Sequence, residues 1–228
     1  MTDILLLHGA IGSSSQLELL AQALEGSFKV HLIDFPGHGG SALPAAFDIS
    51  FFAEHVRQYC ADRHLKTVMI FGYSMGGYVA MYLAKTNPGL VGKIITLATK
   101  FHWDGPAAQK ENAMLQPELI LQKLPSFAKT LEERHAPQDW KEVLQKTAGM
   151  LTGLSEGKGL DPGDYKEIDI PCLLMLGDRD RMVSLQETVD VYKQLPQAQL
   201  AVLPKTPHPV EAADPSMLSF FIKSFLNG

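Results

Sequence analysis

Short apolar runs alternate with stretches whose apolar residues fall at helical spacing, and this alternation limits the fold more than any other feature of the chain. Residues 4–7, 29–35, 67–71 and 93–98 read as strands, the second rich in β-branched and aromatic residues. Residues 16–24, 50–64 and 74–85 carry helical spacing between them. Ser50 is a candidate N-cap, and Asn87-Pro88 a stop. The pattern resumes late in the chain, with strands over 172–176 and 199–203 and helices over 185–195 and 215–226. Strand–helix alternation with short connections implies a mostly parallel, doubly wound sheet covered by helices on both faces, with right-handed crossovers.

The alternation stops near Phe101. From His102 to about Asp164 helical periodicity runs through 107–124, 126–134 and 139–151, followed by a loop rich in Gly and Asp. The chain therefore divides into an α/β core of residues 1–101 and 166–228 and a helical insertion of residues 102–165. A length of 228 residues suits one domain with such an insertion. There is no internal repeat.

The net charge is -5 with both signs spread along the chain, so nothing draws it to phosphate backbones or anionic membrane surfaces. Neither a nucleic-acid nor a membrane partner is expected. Met-Thr-Asp lacks the basic flank of a signal peptide, and the apolar run after it is too short for an h-region or a span, so a cytoplasmic location is expected. Cys60 and Cys172 lie in no CxxC or Cys/His cluster and read as buried thiols in a reducing compartment. Gly37-His38-Gly39-Gly40 is not followed by Gly-Lys-Ser/Thr, no GxGxxG opens a helix after the first strand, and no HExxH-like spacing occurs. No metal and no cofactor are expected. Monomer and homodimer remain equally open.

Gly72-Tyr73-Ser74-Met75-Gly76-Gly77 lies between a strand and a helix. A sharp turn there lifts a serine hydroxyl clear of the sheet and sets it at a helix N-terminus, where backbone N–H groups and the dipole favour a developing oxyanion. Gly72 and Gly76 leave room for close strand–helix approach. Ser74 is thus a candidate nucleophile, the competing reading being a simple helix cap. Serine needs a base, and on such an elbow the acid and then the histidine follow in chain order. Only His102, His135 and His208 come after Ser74. His135 sits in the insertion, and no later carboxylate-then-histidine order fits His102. His208, between the last strand and the last helix, is the candidate base. Asp178 and Asp180 both follow the strand over 172–176. Asp180 lies deeper in the turn and is preferred, because a carboxylate there fixes the imidazole tautomer. His8-Gly9-Ala10-Ile11-Gly12 follows the first strand, and its turn can aim the Ala10 N–H into the same site beside that of Met75. His8 and His38 read as structural.

Together these segments resemble the α/β-hydrolase superfamily. The match rests on His8-Gly9, the loop from Asp34 to Ser41, the Gly72–Gly77 elbow, and Gly177-Asp178-Arg179-Asp180-Arg181-Met182-Val183 with His208, all in the family's order. The resemblance implies a Ser74–Asp180–His208 triad, Ala10 and Met75 as backbone oxyanion donors, and an insertion that caps the site. The sequence departs from the family in three places. The one or two strands that usually precede the His-Gly strand have no counterpart, which would leave residues 29–35 as an edge strand. Pro207 stands where Gly is frequent, and Ala213 where Glu is frequent.

The chemistry implied is acyl transfer to water, with a small carboxylic ester as the first-choice substrate. A carbon–carbon bond hydrolase, or a lyase of the menaquinone-pathway synthase type, would use the same triad. A non-catalytic ligand-binding member is a third reading, disfavoured by retention of all three triad residue types. In the insertion, Trp103, Met114, Leu119, Leu124, Phe127, Leu131, Trp140, Leu144 and Met150 read mostly as packing residues, a few of them lining an apolar pocket. His102 and Trp103, at the end of the fourth strand, are candidate pocket residues. No arginine or lysine in the insertion points to an acidic substrate.

Overall fold

Ile4, Leu5, Leu6 and Leu7 are all fully buried, so the first strand, β1 (Asp3–Leu7), is covered on both faces. Its alternate side chains enter two separate cores: Leu5 and Leu7 one, Ile4 and Leu6 the other. The structure, a computed structural model, describes residues 1–228. The remaining strands are β2 (Lys29–Ile33), β3 (Val68–Tyr73), β4 (Val91–Leu97), β5 (Cys172–Gly177) and β6 (Ala198–Leu203). All pair in parallel, in the order β2-β1-β3-β4-β5-β6. β2 is an edge strand, and its exposure is limited by His31 and Lys29, which pair with Asp3 at 2.8 and 3.4 Å. The chain winds outward from β1 to β2, then reverses to β3. The carboxyl ends of β1 and β3 therefore flank the switch point where open α/β sheets hold ligands.

One face carries α1 (Glu18–Leu24) and α9 (Pro215–Asn227). The other carries α2 (Ile49–Asp62), α3 (Met75–Thr86) and α8 (Leu185–Tyr192). The cap of α2 is Asp48, not Ser50: Asp48 Oδ1 accepts from Phe51 N at 2.8 Å, and Ser50 Oγ donates to the same oxygen at 2.6 Å. Both cysteines are buried and free, and burial pushes their thiols up to about 11 at Cys60 and about 12 at Cys172.

Between β4 and β5 lie α4 (Gly105–Met114), α5 (Pro117–Lys123), α6 (Pro125–His135) and α7 (Trp140–Ser155). The single helix expected over 107–124 is two helices, because Pro117 has no N–H to continue α4 and instead starts α5. Ile120, Ala128, Leu131, Trp140 and Leu144 make a small cluster of their own. Val143, Met150, Leu151 and Leu154 of α7 join the main core instead. Of the four helices, α7 thus shares its apolar burial with the sheet. No helix is long and apolar enough to cross a membrane.

Candidate active site

Only Ser74 separates β3 from α3, and it turns the chain at φ 51°, ψ −117°. A non-glycine residue rarely adopts this conformation, and it persists only where its surroundings impose it. Here Ser74 N donates to Leu97 O at 2.8 Å, and Thr99 Oγ1 donates to Ser74 O at 3.1 Å. The turn also needs bare backbone around it. A Cβ at Gly72 would collide with Gly76 and Gly77, and one at Gly76 with the carbonyls of Leu7 and His8. The hydroxyl is thus carried at the start of α3, where Met75 N–H has no intrahelical acceptor.

The loops after β5 and β6 meet beside it. His208 Nδ1 lies 2.8 Å from Asp180 Oδ2, and the Asp180 side chain is almost wholly buried. The other carboxylate oxygen, Oδ1, accepts from Met182 N at 2.8 Å and Val183 N at 2.9 Å. Burial pushes this carboxyl up, but the His208 hydrogen bond and the two amides outweigh it and hold it below the usual range. An ionised Asp180 makes His208 Nδ1 the donor and leaves Nε2 with its lone pair. Asp178 does different work. Its side chain is 37% exposed, and Oδ1 accepts from Thr206 N at 3.2 Å, tying the two loops together. Tyr73 packs 5.6 Å from the His208 ring, centre to centre.

The turn after β1 is held from beneath. The fully buried His8 donates from Nδ1 to Gly9 O at 2.7 Å and accepts at Nε2 from Phe35 N at 3.1 Å. Burial pulls its pKa down to about 4, so the ring is neutral. Asp34 accepts from Ser14 N and Oγ at 2.7 and 2.8 Å and fixes the far side of the turn. Ala10 N–H has no backbone acceptor. The next residue, Ile11, has φ 52°, and its carbonyl accepts from both Arg134 Nη1 (3.1 Å) and His135 Nε2 (3.0 Å) of α6. The helical segment therefore grips the turn that presents Ala10.

Ser74, Met75, Ala10 and His208 all line one cavity of about 400 Å³. The Ser74 hydroxyl and the His208 ring face this space, with no hydrogen bond between them. Apolar residues dominate the walls, with Trp103, Met114, Leu124, Phe127 and Met150 contributed by the segment between β4 and β5. Leu131, Trp140 and Leu144 pack inside that segment instead. His102 is a correction. Its side chain is 65% exposed, lies 3.4 Å from Asp104 and does not line the cavity. The cause is Glu187, whose Oε1 accepts from both Phe101 N (2.8 Å) and His102 N (2.9 Å) and so fixes this stretch with Trp103 toward the cavity.

Sequence reasoning passed over four charged residues of the walls: Lys100, Glu111, Arg134 and Glu211. Burial lowers the Arg134 pKa, opposed by nearby Glu211. Glu111 is buried on the inner face of α4, and burial raises its pKa. A signal for it existed. Glu111 stands three residues after Ala108 and four before Leu115, on the apolar stripe of a helix.

The alpha/beta hydrolase family model matches residues 4–217. The chain is 29% identical to the pimeloyl-[acyl-carrier protein] methyl ester esterase of Vibrio campbellii, over 90% of this chain and 87% of the relative. It is 27% identical to the enzyme of the same name from Aeromonas hydrophila, over 98% and 95%. Among solved structures it resembles an esterase from Thermogutta terrifontis, with TM-score 0.81, 19% identity and coverage of 100% and 90%. It also resembles a 2-hydroxy-6-oxo-6-phenylhexa-2,4-dienoate hydrolase from Rhodococcus, with TM-score 0.83, 19% identity and coverage of 100% and 91%. With the six-stranded parallel sheet, the elbow at Ser74 and a family match over nearly its whole length, the chain belongs to the alpha/beta hydrolase family.

Proposed function

We propose that the protein hydrolyses small carboxylic esters through Ser74 as nucleophile, His208 as general base and Asp180 as its orienting acid. The observation that carries this reading is the 2.8 Å contact between Asp180 and His208, in a ring that faces the same cavity as Ser74. Ser74 Oγ attacks the ester carbonyl carbon as His208 Nε2 takes the hydroxyl proton. The tetrahedral oxyanion is received by the Ala10 and Met75 N–H groups, and Asp180 stabilises the imidazolium. Collapse breaks the C–O bond, and the imidazolium returns its proton to the leaving alcohol. Water, deprotonated by the same ring, then releases the acid from the acyl-enzyme.

Relatives named as methyl ester esterases support a small alcohol and a longer acyl part. A mostly apolar cavity of about 400 Å³ suits an acyl chain of medium length. Residues 102–165 act as a cap in this reading, closing the cavity over the sheet. Free buried thiols fit a reducing compartment, and we assign the cytoplasm.

The test is incubation with a fluorophosphonate probe and with short and medium p-nitrophenyl esters, beside Ser74→Ala. Labelling and turnover are expected, with kcat falling by about 10⁴–10⁶ in the variant. Labelling without ester turnover would transfer the reading to carbon–carbon hydrolysis or lyase chemistry. A folded protein that takes no label would end the activated-serine assignment.

A further inference from the structure

The chain after β1 makes a tight turn, closed by Gly12 N donating to Gly9 O at 3.1 Å, with Ala10 and Ile11 between them. Ile11 is the third residue of this turn and has φ 52°. A left-handed third position suits Gly or Asn, and a β-branched side chain there is strained. Such a backbone lasts only where its surroundings impose it. At Ile11 the helices between β4 and β5 do so. Its carbonyl takes two donors from α6, Arg134 Nη1 at 3.1 Å and His135 Nε2 at 3.0 Å. Its side chain packs against the small cluster that includes Ile120, Leu131 and Trp140. By backbone Ile11 belongs to the turn that presents Ala10, and by packing it belongs to the helices.

Arg134 reaches further still. Its side chain is only 12% exposed, and Nη2 lies 3.4 Å from Oε1 of Glu211, three residues after His208. Gln16 Nε2 donates to the same oxygen. One guanidinium therefore ties the turn after β1 to the loop that carries the base.

We infer that Arg134 is a positioning residue for the proposed reaction: it keeps Ile11 left-handed and so aims the Ala10 N–H at the oxyanion. This rests on the esterase reading. Without the guanidinium, Ile11 relaxes toward a negative φ, and that rotation turns the Ala10–Ile11 peptide. The Ala10 Cα is the pivot between this peptide and the one whose N–H receives the oxyanion. The far edge of that second peptide, Gly9 O, stays held by His8 Nδ1 at 2.7 Å, so the donor is misaimed and not lost. A misaimed donor weakens the transition state and leaves ground-state binding in place. Seating of α6 on the turn is thus a condition for a formed oxyanion hole.

Arg134→Met removes the donors and keeps most of the side chain's length. On p-nitrophenyl butyrate its kcat should fall about 10–100-fold, part of the effect of deleting an oxyanion donor, with KM changed less than about 3-fold. A trifluoromethyl ketone of the same acyl chain, to which Ser74 adds to leave a bound oxyanion, should lose affinity by the same factor as kcat. The matching secondary alcohol, which forms no oxyanion, should bind as before. In an Ile11→Gly background, where a left-handed φ carries no steric cost, Arg134→Met should cost less than about 3-fold.

A raised KM at unchanged kcat would overturn the assignment and make Arg134 a substrate contact. A ketone affinity that holds while kcat falls would also overturn it, as would equal losses with and without Ile11→Gly. If Arg134→Met does not fold, Arg134→Lys decides. There kcat and ketone affinity should fall together by about 3–10-fold, and an unchanged kcat would sink the proposal. A parent enzyme that neither cleaves the ester nor binds the ketone would instead strike at the esterase reading itself.

Discussion

At Asp180 a single carboxylate serves two loops at once. Oδ1 holds the amides of Met182 and Val183, and Oδ2 holds His208. Asp180→Asn keeps the shape but must turn its NH₂ toward either two donors or the ring. In either case His208 loses the acceptor that fixes its tautomer. The expected result is a fall in kcat of about 10³–10⁴ with little change in KM, measured by steady-state kinetics on a p-nitrophenyl ester. Asp178→Asn is the internal comparison and should alter kcat by less than about 3-fold, since Asp178 faces Thr206 and solvent. An equal loss in both would mean that the wrong carboxylate had been assigned. That Asp180 rather than Asp178 meets the His208 ring was legible in the chain, because a residue deeper in the turn can reach back over the sheet edge. Glu111 was legible only as a residue of the buried face: helical periodicity says which face of α4 is buried but not that this face meets a cavity.

At the scale of elements the same substitution should act with opposite signs at two glycines. Gly76→Ala places a methyl against the carbonyls of Leu7 and His8. No side-chain rotation relieves a clash of backbone with Cβ, so a loss above about 3 kcal/mol is expected. Gly149 is exposed in the middle of α7 with nothing near its would-be Cβ. Gly149→Ala should therefore stabilise by about 0.5–1 kcal/mol through the lower entropy of the unfolded chain. Urea midpoints of the two variants against the parent decide it. The strands and the helices of the α/β core were readable, because buried parallel strands are short, apolar and flanked by turn residues. Boundaries were less so. β3 extends to Tyr73 because Gly72 and Tyr73 still pair with Thr96 and Leu97. A capping residue is chosen by the backbone it meets, and at α2 that is Asp48.

Across the whole molecule, what sequence could not supply was how the helices between β4 and β5 sit on the sheet, because that contact joins residues far apart in the chain. It is made partly through histidines. His8, His38 and His135 are all fully buried, with ring centres 5.0 Å apart for His8–His38 and 5.9 Å apart for His38–His135. They join the turn after β1, the loop after β2 and α6. Burial lowers the pKa of all three, with Asp34 opposing it at His8 and His135, and Arg134 adding to it there. A histidine whose folded pKa is depressed refuses protons that the unfolded chain accepts. Its contribution is complete above the unfolded value of about 6.5 and is lost as pH falls toward the folded value, which is about 4 for His8. His8 alone then accounts for up to about 3 kcal/mol between those limits. Asp180 adds no loss in this window, since its folded pKa is depressed and its contribution disappears only below about 4. Glu111, with a raised pKa, works in the opposite direction and blunts the effect. The urea midpoint should therefore drop clearly between pH 7 and pH 5. His38→Phe, placed among Phe35, Phe47 and Phe52, should shrink that drop by removing one of the three titrating rings. A midpoint that is the same at pH 7 and pH 5 would mean that the folded state accommodates these protons, and that the junction of helices and sheet opens enough to hydrate its histidines.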